Sequence, residues 1–231
     1  FLSPANVTSW DKKFLATDGS VYPTEDFTYY SCWSLWDTYR TKFPLITLLD
    51  PKPMRDFANS LCNLYRYGKK DWATQFESTP TVRTEHAIVV LLDAYKKGIP
   101  DIHLAKAYEG MKKEMDNLQL NRPDQILESC MDWWAMAQIA EILGKNEDAE
   151  HYSKKAKNTF TETWNKEFKD INDSFAKMKD SGLYQGTRWQ YRWALPQYLD
   201  EMIAMVGKDA LTGQLSNFFT DNLFNQGNEV G

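Results

Sequence analysis

The sequence has little of what would staple or metallate a small fold. Its 231 residues hold three Cys and three His. Cys32, Cys62 and Cys130 show no C-x-x-C spacing, and an odd number cannot pair completely, so a full disulfide framework is excluded. Each lies in an apolar or aromatic stretch, where a buried thiol is expected. His86, His103 and His151 are far apart and give no zinc signature, so structural or exposed roles are expected. No apolar run reaches the roughly eighteen residues that a membrane-spanning helix needs. Basic residues number 27 against 32 acidic ones, a net charge of −5 with no long basic run. That balance argues against a nucleic-acid groove. No stretch alternates convincingly at period two, so strands should be minor.

Aromatic residues, by contrast, are plentiful, at 14% of the chain with nine Trp and twelve Tyr. They suit a cleft for a carbohydrate or another planar ligand, and equally a core that needs polar handles. The length suits one large domain with a sizeable core. Phe1-Leu2-Ser3-Pro4 shows neither an initiator Met nor a signal-peptide pattern, and the chain ends in turn chemistry at Phe224–Gly231. It reads as a piece of a larger protein, with any signal peptide lost upstream.

Apolar residues recur at helical spacing over most of the chain. Residues 1–30 are expected to be irregular, with a turn at Asp18-Gly19-Ser20. Ser34 caps a predicted helix running to about Leu49, with Pro44 a kink inside it. Further helices are predicted over about 53–67, ending at Gly68, then 84–97, 102–118, 125–143, 146–168, 189–207 with a kink at Pro196, and 210–221. Longer loops fall at 69–82 and 169–187, where ordered loops often carry function. The fold class is all-α, built of helical hairpins.

Ile126–Gln138 is the stretch around which the rest is organised. Trp133, Met136, Ala137, Ala140 and Leu143 make an apolar stripe that Glu128 and Asp132 interrupt. Four residues apart, the two carboxylates share one helical face. Mutual repulsion and the neighbours Met131, Trp133 and Trp134 both favour the protonated form, which suits a general acid. The plainer explanation is an ordinary helix start, where acids complement the dipole. Asp37 and Arg40, three apart, are by spacing a structural ion pair worth a few tenths of a kcal/mol. Asp93, among Val and Leu, reads as a satisfied core carboxylate. Trp189, Tyr191 and Trp193 are as readily a core stripe as a sugar platform. Residues 135–164 resemble one tetratricopeptide unit, a protein-binding reading, but a solenoid needs about three copies and only one is present.

Five stretches together resemble glycoside hydrolase family 92, a family of calcium-dependent, inverting, exo-acting α-mannosidases. They are Ser34-Leu35-Trp36-Asp37-Thr38-Tyr39-Arg40 with Pro44-Leu45, His86 through Asp93–Ile99, Leu127-Glu128 through Lys145, Trp189-Gln190-Tyr191-Arg192-Trp193, and Gly227-Asn228-Glu229. The resemblance implies part of an (α/α)6 toroid, or barrel, of helical hairpins, incomplete in this chain. It further implies an N-terminal β-sandwich partner domain outside the chain and a general base beyond Gly231, so that these residues alone would be inactive. It casts Glu128 as the catalytic acid, acting opposite a base-activated water. Trp36, Asp37, Arg40 and Trp189 would contact the sugar, and Gln190, Asn228 and Glu229 would hold Ca²⁺ through oxygen donors of the type that ion prefers. The substrate implied is a terminal α-mannoside of a glycan, in a secreted or periplasmic bacterial setting. The family's Glu-Gly-Asn is here Gln185-Gly186-Thr187, one charge fewer beside the expected metal. Two alternatives stay open: another inverting (α/α)6 hydrolase such as an α-glucosidase or trehalase relative, and a non-catalytic helical sugar- or protein-binding module.

Overall fold

The computed structural model describes residues 3–69, 84–171, 182–184 and 186–223, and all their side chains but that of Asp37. Two compact units divide the chain. One is Phe1–Asn117 with Gln138–Gly144; the other is Leu118–Ala137 with Lys145–Gly231.

The first unit opens with structure where an irregular stretch was expected. Strands β1 (Ala5–Asn6), β2 (Lys13–Leu15), β3 (Val21–Pro23) and β4 (Tyr30–Ser31) form two antiparallel ribbons. β1 pairs with β4, Ala5 opposite Ser31, and β2 with β3, Phe14 opposite Tyr22. Strands of two or three residues are too short to show an alternating pattern. The β2–β3 hairpin is closed by the legible turn. Gly19 takes φ 86°, and the Asp18 carboxylate accepts the Ser20 amide at 2.8 Å. Phe14 stacks on Tyr29 and Tyr22 on Tyr67, each pair with centroids 4.0 Å apart.

The predicted helix over 34–49 is two helices, α1 (Leu35–Thr38) and α2 (Lys42–Leu49). The chain breaks at Tyr39–Thr41, not at Pro44. Pro44 lies in the first turn of α2, where its missing N–H costs no helical bond. α3 (Pro51–Arg66) starts with proline at its first position and is the buried centre of this unit, from Met54 to Tyr65. α4 (Ala87–Lys96) and α5 (Leu104–Met115) both pack against α3. Asn59 of α3 has no exposed surface, and its side chain donates to the Asp101 carbonyl at 3.0 Å and accepts the His103 amide at 2.9 Å. A buried amide satisfied this way fixes the turn entering α5 against α3. Ser60 does the same for the ribbon, accepting the Tyr30 amide at 2.9 Å. The close approach of α3 and α5 depends on Gly110, where an added Cβ would meet the Tyr65 carbonyl oxygen at 2.1 Å.

The second unit holds the start of α6 (Pro123–Ile142), whose last residues belong to the first unit, then α7 (Asn146–Glu167). Leu127, Cys130, Trp133 and Met136 of α6 are buried, as are Tyr152, Ala156, Phe160 and Trp164 of α7. Gly144, at φ 71°, ends α6 as its sequence position implies. The helix predicted over 189–207 is broken. A single turn, α8 (Arg188–Tyr191), is followed by a 3₁₀ turn at Pro196–Tyr198 that runs into α9 (Leu199–Val206). Pro196 holds Leu195 extended, at φ −121° and ψ 75°, so the chain restarts there and does not kink. α10 (Lys208–Thr220) closes the described part and packs on α9, while Tyr198 stacks on Phe160 at 4.7 Å. Cys62 and Cys130 are buried and Cys32 is half-buried, all three reduced. Among the described residues, no helix is long and apolar enough to cross a membrane.

Candidate active site

The site grows from α6. Asp124, Glu128 and Asp132 follow one another at four-residue intervals, so they run along one face of the helix. Asp124 is 1% exposed, Glu128 is half-buried and Asp132 is buried. Asp124 gathers two groups. Its carboxylate takes Nε of Arg122 at 3.1 Å and the backbone N–H of Tyr184 at 3.0 Å. A buried carboxylate needs such donors, and here one comes from the residue just before α6 and the other from the segment leading into α8. The Arg122 guanidinium in turn lies 5.6 Å from the Tyr184 ring centre.

α8 is a single turn held from both ends. Thr187 and Gln190 form a capping box: the Gln190 amide donates to the Thr187 hydroxyl at 3.2 Å, and the Gln190 side-chain oxygen accepts the Thr187 amide at 2.9 Å. The Thr187 hydroxyl also donates to the Leu223 carbonyl at 3.1 Å. Beneath the turn, Arg188 and Arg192 are buried one helical turn apart. Arg188 bonds the Glu167 carbonyl and, at 3.0 Å, the Glu167 carboxylate, where a cation complements the C-terminal end of α7. The Arg192 guanidinium lies 5.0, 5.5 and 5.1 Å from the rings of Trp164, Trp189 and Trp193, and bonds Gln214 at 2.9 Å. Burial pushes this guanidinium down to about 10, still cationic at neutral pH. Two of its nitrogens, Nε and Nη1, find no hydrogen-bond partner among the described residues.

The expected site residues divide accordingly. Trp36, Asp37 and Arg40 lie in the first unit. Trp36 is buried on α1, and Arg40 is exposed with its guanidinium 5.2 Å from the Tyr39 ring. The side chain of Asp37 lies outside the description. Glu128, Trp189 and Gln190 lie in the second unit. Trp189 is 7% exposed, with the Arg192 guanidinium 5.5 Å from its ring centre, so it is part of the wall of the unit's core. Asn228 and Glu229 lie outside the described residues, as does Gln185. Of the expected calcium ligands only Gln190 is described. Its amide oxygen is of the hard-donor type that calcium prefers, and it also accepts the Thr187 amide in the cap.

Asp93 is not the core carboxylate its neighbours suggest. It pairs with Lys97 at 2.6 Å on the half-exposed side of α4. His103 meets Glu25 and Asp26 at 3.9 and 3.7 Å, but Lys106, Arg66 and Arg55 neutralise these acids, so this is a surface ion network. Asp124, Arg122, Tyr184 and Arg188 went unremarked in the sequence, and Arg192 stood there only as part of the Trp189–Trp193 string with no role of its own. The signal for Asp124 was present, because it extends the Glu128–Asp132 spacing by one turn. Arg188 and Arg192 likewise bracket Trp189 at helical spacing.

This organisation has known relatives. The chain matches the glycosyl hydrolase family 92 catalytic domain over residues 1–126 and 121–231, and it belongs to that family. Among solved structures it resembles the family 92 glycosyl hydrolase CcMan5, with 26% identity, a TM-score of 0.77, and coverage of 96% of this chain and 33% of that one. It resembles the family GH92 α-mannosidase BT3965 of Bacteroides thetaiotaomicron at 24% identity and a TM-score of 0.76, covering 94% of this chain and 34% of that one. A second structure of BT3965 holds mannoimidazole and aligns with a TM-score of 0.75. The all-α expectation holds: the chain is mostly helical and has the helical-barrel catalytic fold of these relatives. It spans about a third of their length. No curated protein sequence matches it.

Proposed function

We propose that the protein is an exo-acting, inverting α-mannosidase, of α-1,2-mannosidase type, that removes terminal α-mannosyl residues from glycans outside the cytoplasm. The observation that carries this is the likeness to an α-mannosidase over 94% of the chain, within a family the chain belongs to. Glu128 is the proposed acid. It stands half-buried on α6 between Asp124 and Asp132, four residues from each and on the same helical face. In that role it donates the proton to the departing glycosidic oxygen while water attacks the opposite face of the sugar. Trp36, Asp37, Arg40 and Trp189 are proposed to bind the mannose, an indole against the ring's apolar face and charged groups to its hydroxyls. Gln190, with Asn228 and Glu229, would hold calcium, which when bound would orient two sugar hydroxyls and polarise them as a Lewis acid.

The test is release of mannose from α-1,2-mannobiose by the full-length protein, with and without EDTA, for the native enzyme and Glu128→Gln. Release that is lost in the variant and in EDTA supports the acid and the metal. Undiminished release by Glu128→Gln removes Glu128 from the mechanism, and release that ignores EDTA removes calcium. Cleavage of α-glucosides in place of mannosides moves the reading to the trehalase-like alternative. Cleavage of neither leaves a binding module.

A further inference from the structure

Arg188 and Arg192 are buried one turn apart, and their partners differ. Arg188 has the Glu167 carboxylate at 3.0 Å and the carbonyl of the same residue. Arg192 has no exposed surface, and its one hydrogen-bond acceptor among the described residues is neutral: Nη2 donates to the Gln214 side-chain oxygen at 2.9 Å. Nε and Nη1 are buried and meet no acceptor among the described residues. Neither do two more buried donors beside them, the indole N–H groups of Trp189 and Trp193. Their ring centres lie 5.5 and 5.1 Å from the guanidinium, on the scale of the roughly 6 Å over which two donors can share one acceptor. Buried donors are ordinarily paired, and a lone one is rare. Four such nitrogens on three neighbouring side chains mark a place where an acceptor is missing.

The described neighbours do not supply it. The carbonyl of Arg192 already accepts the indole N–H of Trp164. Ring faces meet the positive charge but are weak acceptors for N–H groups. Glu167 is engaged by Arg188 and Lys166. Burial lowers the proton affinity of the guanidinium and the charge of Asp170 acts against that, but Asp170 is exposed and bonds neither Nε nor Nη1. An internal water fits poorly, because it accepts two N–H groups at most and must place two hydrogens of its own. A monovalent anion accepts from several sides, supplies the missing charge and donates nothing.

The geometry points to an internal site for a small monovalent anion, chloride or bromide, built of the Arg192 guanidinium and the indole N–H groups of Trp189 and Trp193. The ion offsets a buried charge that is a cost without it. Through Arg192 it also ties the α8 turn to Trp164 of α7 and Gln214 of α10, all within the second unit. The site stands whether or not the protein cleaves mannosides.

Thermal unfolding of the full-length protein tests it, with sodium gluconate exchanged for sodium chloride at constant ionic strength. The native midpoint should rise by about 2–4 °C and then saturate. Arg192→Met should abolish the rise. Trp193→Phe, which keeps a ring and loses the N–H, should raise the half-saturating chloride several-fold. Bromide gives a direct view that needs no variant: crystals of the native protein grown in sodium bromide should show anomalous scattering beside the Arg192 guanidinium. An absent or unsaturated chloride response would overturn the site, as would the same response in Arg192→Met or an unchanged half-saturation in Trp193→Phe. Bromide bound only elsewhere, or a water beside Arg192 in its place, would overturn it too.

Discussion

The indole N–H of Trp164 donates to the backbone carbonyl of Arg192 at 3.0 Å, while the Arg192 guanidinium lies 5.0 Å from the centre of the same indole ring. One residue on α7 thus grips both the main chain and the side chain of one arginine, and through it the α8 turn. The arginine is fully buried and only partly hydrogen-bonded, which makes it a costly cation retained for its shape.

From this follows a contrast between two substitutions. Arg192→Met keeps the volume between the three indoles and removes a buried charge, so it should change stability by less than about 1.5 kcal/mol, in either direction. Arg192→Ala leaves a cavity and should cost about 3 kcal/mol or more. Urea midpoints would show it. If Met proved as damaging as Ala, the charge and not the volume would be what matters.

Gly110→Ala should destabilise the first unit although alanine is the better helix former. Propensity favours Ala by about 1 kcal/mol. A methyl 2.1 Å from the Tyr65 carbonyl oxygen would force α3 and α5 apart, an overpacking cost of about 1–3 kcal/mol beyond that gain. A lowered thermal midpoint with an unchanged helical circular-dichroism signal is the expected result, and a raised midpoint would contradict the helix contact.

Asp124→Ala should cost about 2–3 kcal/mol, since it strands the Arg122 charge and the Tyr184 amide. Hydrogen exchange gives the local readout. The Tyr184 amide should exchange faster in the variant, and Asp124→Asn should lie between the two. An unchanged exchange rate would mean that Asp124 does not hold the segment.

Acid should loosen the Glu25–His103 network. Hydrogen bonds from Lys106 and then Arg66 hold the Glu25 carboxyl below the usual carboxylate range, so its contribution is present above that range and lost as pH falls through the lowered value. Desolvation, with Lys106 next, holds His103 below its ordinary value. The folded state resists its protonation, and stability again falls as pH drops below the usual histidine range. Both groups are partly exposed, so the combined effect stays below about 1 kcal/mol and shrinks in salt. Urea midpoints at pH 7 and pH 4 should converge slightly in Glu25→Gln, most visibly at low ionic strength; an unchanged gap would dismiss Glu25 as a source of the acid sensitivity.

Much of the fold was legible because helices are local. The apolar period over 126–143 and the glycines at 68, 98 and 144 place α3, α4 and α6 to within a few residues, since a helix and its stop depend on neighbours in sequence. The family resemblance was legible for the same reason, because its motifs are short contiguous strings, and Glu128 with Asp132 could be put on one face by counting. What failed was what depends on partners far away. The β1–β4 ribbon joins residues about 25 apart and leaves no periodic trace in two-residue strands. The break at Tyr39–Thr41 and the restart at Pro196 were misplaced because proline marks where a helix is possible, whereas packing decides where the chain turns.

The sequence by itself determined the helical class, the family, and the line of carboxylates on α6, because helical spacing and motif strings are properties of neighbouring residues. Only the tertiary structure decided that Asp124 reaches sixty residues along the chain to Tyr184. It alone decided that Arg192 lies among three indoles, and that Gln190 spends an oxygen on the cap of its own turn. A buried charge or amide takes whatever donor the fold brings within 3 Å, and that choice is fixed by packing, not by sequence separation.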